Sequence, residues 1–284
     1  MQSLWMLAAS FLFAVMAACT KAGASEFGTF ELVFYRSLFG VICIAFWVWK
    51  TGRSLHTPLL GAHLLRSFLG TFAITVWFFV IGLLPLGTAM TLNYTSPLYM
   101  AAFITIGALR RRESIRPGLL ASIASGFIGL TLVLRPEFRE GDALPCMIGL
   151  SAGFLAALAY VQVKQLTRMN EPEWRIVFYF TLFGTLWGLG GQLIVDRLHP
   201  ITMTNIPALL GLGLSATLAQ LCLTRAWGAG NMLLTSALQF SAIIFAAVIG
   251  WCFFGDPIPL QSAIGIAVII ASGVAATVLT KRKS

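Results

Sequence analysis

Runs of about twenty apolar residues, separated by short strips of charge or by Pro and Gly, recur along the whole chain. They fall at 2–22, 30–49, 62–84, 87–109, 115–134, 145–166, 173–195, 205–226, 231–254 and 259–280. A run of that length crosses the hydrocarbon core of a bilayer as one helix, so the pattern predicts ten transmembrane helices. The separators agree with this reading. Lys50 to Pro58, Arg110 to Arg116, Pro136 to Pro145, Arg168 to Pro172 and Asp196 to Pro207 are turn or charge clusters. Leu84-Pro85-Leu86-Gly87 and Asp256-Pro257-Ile258-Pro259 are tight corners, where Pro starts or ends a helix.

The same pattern occurs twice. At a shift of 143, Ala9, Phe11, Leu12, Ala14 and Lys21 match Ala152, Phe154, Leu155, Ala157 and Lys164, while Gly87, Gly107 and Ile115 match Gly230, Gly250 and Ile258. With one extra residue, Val33 to Gly40 lies over Val177 to Gly184 with six identities in eight. The chain therefore divides into residues 1–140 and 141–284, five helices in each. Five is odd, so the second half enters the membrane from the opposite side. The expected fold is an all-α membrane protein of ten helices in a 5+5 inverted repeat, an architecture that favours a carrier working by alternating access.

Composition narrows the reading. Of 284 residues, 58% are hydrophobic and 10% charged, against roughly a quarter charged in a soluble domain. Ten crossings take about 200 residues, which leaves no room for a second, soluble domain. The net charge of +9 could suggest nucleic acid, but the basic residues form strips between apolar runs and read as topology signals instead. Counting Lys and Arg gives 14 on the side of both termini, among them Lys50, Arg66, Arg110 to Arg112, Arg168 and Arg225, and four on the other, Lys21, Arg135, Arg139 and Arg197. Both termini are expected in the cytoplasm, with the chain in the inner (plasma) membrane. The five cysteines lie within or at the ends of apolar runs and form no CxxC pair, so neither a disulfide framework nor a zinc site is expected.

Several of these features together resemble the drug/metabolite transporter superfamily, EamA type. They are the ten short helices in two fives, Phe34-Tyr35-Arg36 early in the second, the Leu84-Pro85 corner opening the fourth, Ser96-Pro97-Leu98 within it, and Glu113 and Asp256 before the fifth and tenth. The resemblance covers essentially the whole chain. It implies a central cavity surrounded by helices one to four and six to nine, with five and ten packed outside. It also implies transport of amino acids, nucleosides, sugars, cofactors or drugs. Within that range the chain loosely resembles bacterial carriers of S-adenosylmethionine or riboflavin.

Candidate site residues follow from polarity inside apolar runs. Asn93-Tyr94-Thr95-Ser96 is the most polar stretch within any helix, and Asn93 and Ser96, three apart, share a face of a continuous helix. Their repeat partners Ser236 and Gln239 have the same spacing, which predicts two matched polar pairs on opposite walls of one space. Pro97 frees the Asn93 carbonyl. Trp77 aligns with Gln220, both deep, and Tyr35 and Tyr99 are further lining candidates. These groups could also serve only to bond neighbouring helices. Arg36, about 9 Å below the outer surface at 1.5 Å per residue, needs a partner from another helix or an anionic substrate group, and its repeat mate is Phe180. Glu31 is a poor partner for it within the helix. Lys21 and Lys164 end the first and sixth helices as candidate gates, with snorkelling as the plainer account. Arg66 and Arg225 read as topology anchors.

Every Asp and Glu lies in a loop or near a helix end, so no carboxylate is expected at mid-membrane and facilitated diffusion or exchange is favoured over proton coupling. No phosphate loop and no HExxH occur. The reading is a secondary transporter of a small polar metabolite, with no cofactor, working in the lipid bilayer as a monomer or homodimer and with no role for nucleic acid. An intramembrane enzyme acting on lipid or peptide, and a non-transporting receptor or membrane partner, are the rival readings.

Overall fold

The computed structural model describes residues 2–23, 27–81, 83–84, 86–112, 117–136, 141–195, 197–255 and 258–281. The ten apolar runs become twelve α-helices: α1 (Trp5–Gly23), α2 (Thr29–Thr51), α3 (Leu60–Ile81), α4 (Leu86–Asn93), α5 (Ser96–Arg110), α6 (Pro117–Leu134), α7 (Ala143–Arg168), α8 (Glu173–Val195), α9 (Ile206–Ala229), α10 (Met232–Gln239), α11 (Ser241–Ile249) and α12 (Leu260–Lys281). A 3-10 turn (Gln2–Leu4) precedes α1, and a π-helical turn (Gly250–Phe254) follows α11. Eight stretches among the described residues are long and apolar enough to cross a membrane. The chain is an all-α, multi-pass membrane protein.

Two runs that the pattern reads as single helices are broken. The first breaks at Tyr94–Thr95, because Pro97 offers no N–H to the Asn93 carbonyl one turn back. Thr95 then turns its hydroxyl onto the Leu92 carbonyl. The second breaks at Phe240, where the Ser241 hydroxyl donates to the Leu238 carbonyl at 2.7 Å. Pro97 and Phe240 occupy the same place in the two repeats at the shift of 143.

Close packing follows the small residues. The longest helix contacts are α6 with α12, α1 with α9, α2 with α8 and α3 with α7. In the α6–α12 crossing, a Cβ on Gly265 would stand 2.6 Å from the Gly129 carbonyl, and one on Gly129 would stand 2.7 Å from the Gly265 carbonyl, so only glycine permits this approach. Gly188 meets the α2 backbone at Phe30 and Phe34 in the same way, and Gly153 meets the carbonyls of Leu92 and Asn93 beside the first break. These glycines thus lie at helix crossings.

Polarity is inverted relative to a soluble protein. Ile194, Phe253, Leu260 and Trp49 are largely exposed on the outside, whereas Glu31, Arg36, His63, Arg66 and Gln220 are buried. Such a surface suits lipid and would be an aggregation hazard in water. The two ends of the bundle are fixed by polar contacts. At the N-terminal end, Ser3 and Asn231 bond each other, Gln2 accepts from Arg225, and Lys164 reaches Gly228 and Gly230. At the opposite end, Glu31 meets His199 and Gln192 donates to the Arg197 carbonyl.

Candidate functional site

A cavity of about 160 Å³ lies in the middle of the bundle, bordered by both helix breaks. Its polar lining comes from Ser10 on α1, Arg36 on α2, Arg66 and Trp77 on α3, Asn93 and Tyr94 at the first break, Tyr160 on α7, Gln220 on α9 and Gln239 at the second break. Met, Ala, Phe, Leu and Ile side chains supply most of the rest. Toward the N-terminal end the cavity is closed by the buried cluster that includes Met100, Leu166, Ile176 and Trp227. Toward the opposite end its lining continues to Ala17, Trp77 and Ala246.

The two arginines dominate its electrostatics. Arg66 is only 2% exposed, and its Nε and Nη1 have no hydrogen-bond partner among the described residues. Its guanidinium stacks on the Phe180 ring, 4.3 Å from the centroid, a cation–π contact that offsets part of its burial. Gly70, one turn further along α3, leaves the room the group occupies. Arg36 is 8% exposed, and no carboxylate lines the cavity among the described residues. The described ion pairs lie elsewhere, at Glu171 and at Glu31. Two guanidiniums held in a small space without a counter-charge are costly. Bidentate hydrogen bonds to an oxyanion would offset part of that cost.

Around this charge the neutral groups can orient a solute. The Gln239 amide nitrogen donates to Ser96 Oγ at 3.3 Å, while its buried Oε1 has no partner among the described residues. The Tyr160 hydroxyl sits beside Gln239, and its ring stacks on Trp227 at 4.6 Å and 10°. Amides of Asn93, Gln220 and Gln239 offer both donors and acceptors.

Of the residues expected from sequence, Arg36, Trp77, Asn93, Gln220 and Gln239 line the cavity. The other four do not. Ser96 is fully buried behind Gln239, because the break at Tyr94–Thr95 interrupts the helix on which it would have shared a face with Asn93. Ser236 is buried and turns its hydroxyl back to the Met232 carbonyl at 2.9 Å. The expected pair of polar pairs is therefore one residue from each, Asn93 and Gln239. Tyr35 packs with Phe27, Leu209 and Leu212, and Tyr99 stands edge-on to Phe154 at 5.4 Å. Lys164 donates to the Gly228 and Gly230 carbonyls at 2.7 and 3.0 Å. The Lys21 side chain, with Pro85, Glu113 and Asp256, lies outside the described residues. Arg66, Tyr94 and Tyr160 enter the site without having been singled out for it. The spacing Arg66 to Gly70, a cation four residues before the residue that makes room for it, is the sequence feature that points to the first.

Two polar clasps flank the cavity, each joining the connector that follows one of α2 and α8 to the start of the other. At the N-terminal end, Glu171 accepts from Thr57 and from Arg175 Nη1 at 3.0 Å, with His63 Nε2 at 3.4 Å. Arg175 Nη2 and the Tyr179 hydroxyl donate to the carbonyls of Ser54 and Leu55. Burial raises the Glu171 pKa, but the hydrogen bonds from Thr57 and Arg175 and the charges of Arg175 and His63 outweigh it, leaving the carboxyl below its ordinary range. At the opposite end, the fully buried Glu31 accepts from the His199 backbone at 2.8 Å and lies 2.7 Å from its Nδ1. At the offset of 144, Glu31 corresponds to Arg175 and Tyr35 to Tyr179, so the clasps occupy equivalent places in the two repeats.

The EamA-like transporter family matches the chain twice, over residues 1–135 and 143–278. A pseudopaline exporter, CntI, of Pseudomonas aeruginosa is 28% identical over 93% of this chain and 91% of its own length. A riboflavin transporter of Vibrio cholerae is 28% identical over 95% and 90%. An S-adenosylmethionine uptake transporter of Rickettsia bellii is 21% identical over 90% and 86%. A solved crystal structure superposes with a TM-score of 0.85 over 98% of both chains at 18% identity, a likeness of fold.

Proposed function

The chain belongs to the EamA-like transporter family, and from that premise we propose that it is a secondary carrier of a small anionic metabolite, moved across the inner membrane by alternating access. The observation that carries the anionic preference is the pair Arg36 and Arg66, buried on one central cavity whose described lining holds no carboxylate. Relatives named for riboflavin, S-adenosylmethionine and pseudopaline support an organic solute over an inorganic ion. Amino acids, their derivatives and nucleotide-like cofactors that bear carboxylate or phosphate fit this lining.

Alternating access rests on ten crossings, with α4–α5 and α10–α11 each counted as one, in halves 1–140 and 141–284. The packing partners support this. Exchanging the halves turns the α1–α9 contact into α7–α3 and leaves α2–α8 and α6–α12 each mapped onto itself. A cavity of about 160 Å³ is smaller than the roughly 300 to 1,000 Å³ of ordinary ligand sites, so a metabolite enters by parting the halves. Both termini face the cytoplasm on the Lys and Arg count. The cavity's lack of a described carboxylate supports uncoupled diffusion or exchange.

Counterflow of labelled carboxylates and phosphate esters in proteoliposomes tests this. Uptake of one or more anions is expected, with Arg36→Gln and Arg66→Gln each weakening apparent affinity by on the order of tenfold to a hundredfold, since a hydrogen bond to a charged group is worth about 1.5–3 kcal/mol. Exclusive transport of cations or neutral solutes, unaffected by either substitution, would overturn the reading.

A further inference from the structure

A second cavity, of about 600 Å³, lies at the N-terminal end of the bundle. Three cations border it, Arg111 just past α5 and Lys164 and Arg168 in the last turns of α7, and its described lining holds no carboxylate. Lys164 and Arg168 are one turn apart, a spacing at which like charges repel. Among the described residues neither Arg111 nor Arg168 has an ion pair. The Lys164 ammonium is held differently, by the carbonyls of Gly228 and Gly230 at 2.7 and 3.0 Å. It ties α7 to the turn between α9 and α10.

The position of this cavity relative to the central one follows from helical spacing. On α7, Tyr160 lines the central cavity while Lys164 and Arg168, one and two turns on, line the second. On α10, Gln239 lines the first and Met232, two turns earlier, lines the second. Met100 and Ile104 on α5, and Arg111 just past its end, follow one another at spacings of four and seven and all line the second cavity. The two cavities are therefore stacked along the same helices, with buried Met100, Val163 and Trp227 packed between them.

We propose that the second cavity is an anion-binding antechamber of the transport path, in which Arg111 and Arg168 draw a carboxylate- or phosphate-bearing solute to Lys164. The arriving oxyanion competes with the Gly228 and Gly230 carbonyls for the ammonium, and so loosens α7 from the α9–α10 turn. This rests on the anion-carrier reading for its solute, but its electrostatics can be measured without one. A charged recess of this kind concentrates counter-ions and accelerates their reactions, by tenfold or more in favourable cases.

The test uses membrane vesicles of both orientations and a chain in which Cys19, Cys43, Cys146, Cys222 and Cys252 are replaced by Ser or Ala. Ala108→Cys, on the antechamber wall, is labelled with membrane-impermeant thiosulfonates of opposite charge. With each rate divided by that reagent's rate with a free thiol, the sulfonate-bearing reagent is expected to react about tenfold faster than the trimethylammonium one, from one membrane face only. Arg111→Gln with Arg168→Gln brings the two rates together, while the double Arg→Lys variant keeps the preference. Lys164→Met speeds labelling of Ala156→Cys, in the central cavity, from that same face. Equal rates for both reagents, or a preference indifferent to the arginines, would overturn the antechamber even where anion counterflow is intact. A sustained preference in a protein that carries no anion would sink the carrier reading and leave the basic recess standing. Protection of Ala108→Cys by phosphatidylglycerol vesicles but not by phosphatidylcholine would assign the cavity to a lipid headgroup instead.

Discussion

Arg66 shows how a side chain's role depends on what stands one turn away. Counted along the chain, it falls near the start of an apolar run and looks like one more basic anchor. In the folded protein α3 starts at Leu60, Gly70 leaves a gap on the same face, and Phe180 presents a ring to the guanidinium. The charge therefore turns into the bundle. The first two conditions are local and legible, whereas Phe180 comes from the other half of the chain. Glu171 makes a similar point at the N-terminal clasp. Its carboxyl is held below the ordinary glutamate value, so the stability it contributes is fully present above about pH 4.3 and is lost as pH falls below that through the depressed value. Thermal unfolding in detergent is expected to show this acid-side loss, and Glu171→Gln to flatten it. An equally steep acid limb in the variant would place the titrating group elsewhere.

At the scale of elements, hydrophobic patterning located the apolar runs but not their continuity. Pro97 marks the first break in the sequence itself, through its missing N–H. Phe240 carries no such mark. An aromatic residue flanked by Gln239 and Ser241 is compatible with an unbroken helix, and the break becomes legible only when the repeat lays Phe240 over Pro97. Missing the first break is what misplaced Ser96, since two residues three apart share a face only on one helix; Ser236 and Gln239 both lie on α10, and Ser236 is instead buried with its hydroxyl on the Met232 carbonyl. At the crossings between helices the deciding residues are glycines. Gly265→Ala would put a methyl 2.6 Å from the Gly129 carbonyl, and is expected to lower stability by about 1–3 kcal/mol, the usual range for overpacking. Gly273→Ala on the same helix meets nothing nearer than Leu238 Cδ2 at 3.6 Å and should be neutral or slightly stabilising. Thermal denaturation of the two variants side by side checks the contrast.

Across the whole molecule, the clasps and the breaks divide the labour of any rocking motion. Both ends of the α2–α8 pair are fastened at once, by Glu31–His199 and by the Thr57–Glu171–Arg175 cluster. A pair held at both ends is suited to be the pivot, and the interrupted helices α4–α5 and α10–α11, meeting at Ser96 and Gln239, are suited to move. A disulfide joining Ser96→Cys to Gln239→Cys is accordingly expected to stop counterflow, and one joining Glu31→Cys to His199→Cys to leave it running. The reverse outcome would place the pivot at the breaks. The family matches the chain twice, over residues 1–135 and 143–278, and identities at a shift of 143 are visible in the sequence. Which clasp residues meet is not visible there, because Glu31 and His199 lie 168 positions apart and nothing local to either announces the other.

The unmatched positive lining of the central cavity also bears on energetics at the scale of the cell. Over a complete cycle the protein's own charges return to where they began, so the net charge displaced is that of the solute alone. Each elementary charge crossing 100 mV is worth about 2.3 kcal/mol. If the solute crosses by diffusion and not in exchange for another anion, an interior-negative membrane would drive a monoanion outward by that amount. The resting voltage would then act as the motor, making a passive carrier an exporter without ATP or a proton gradient.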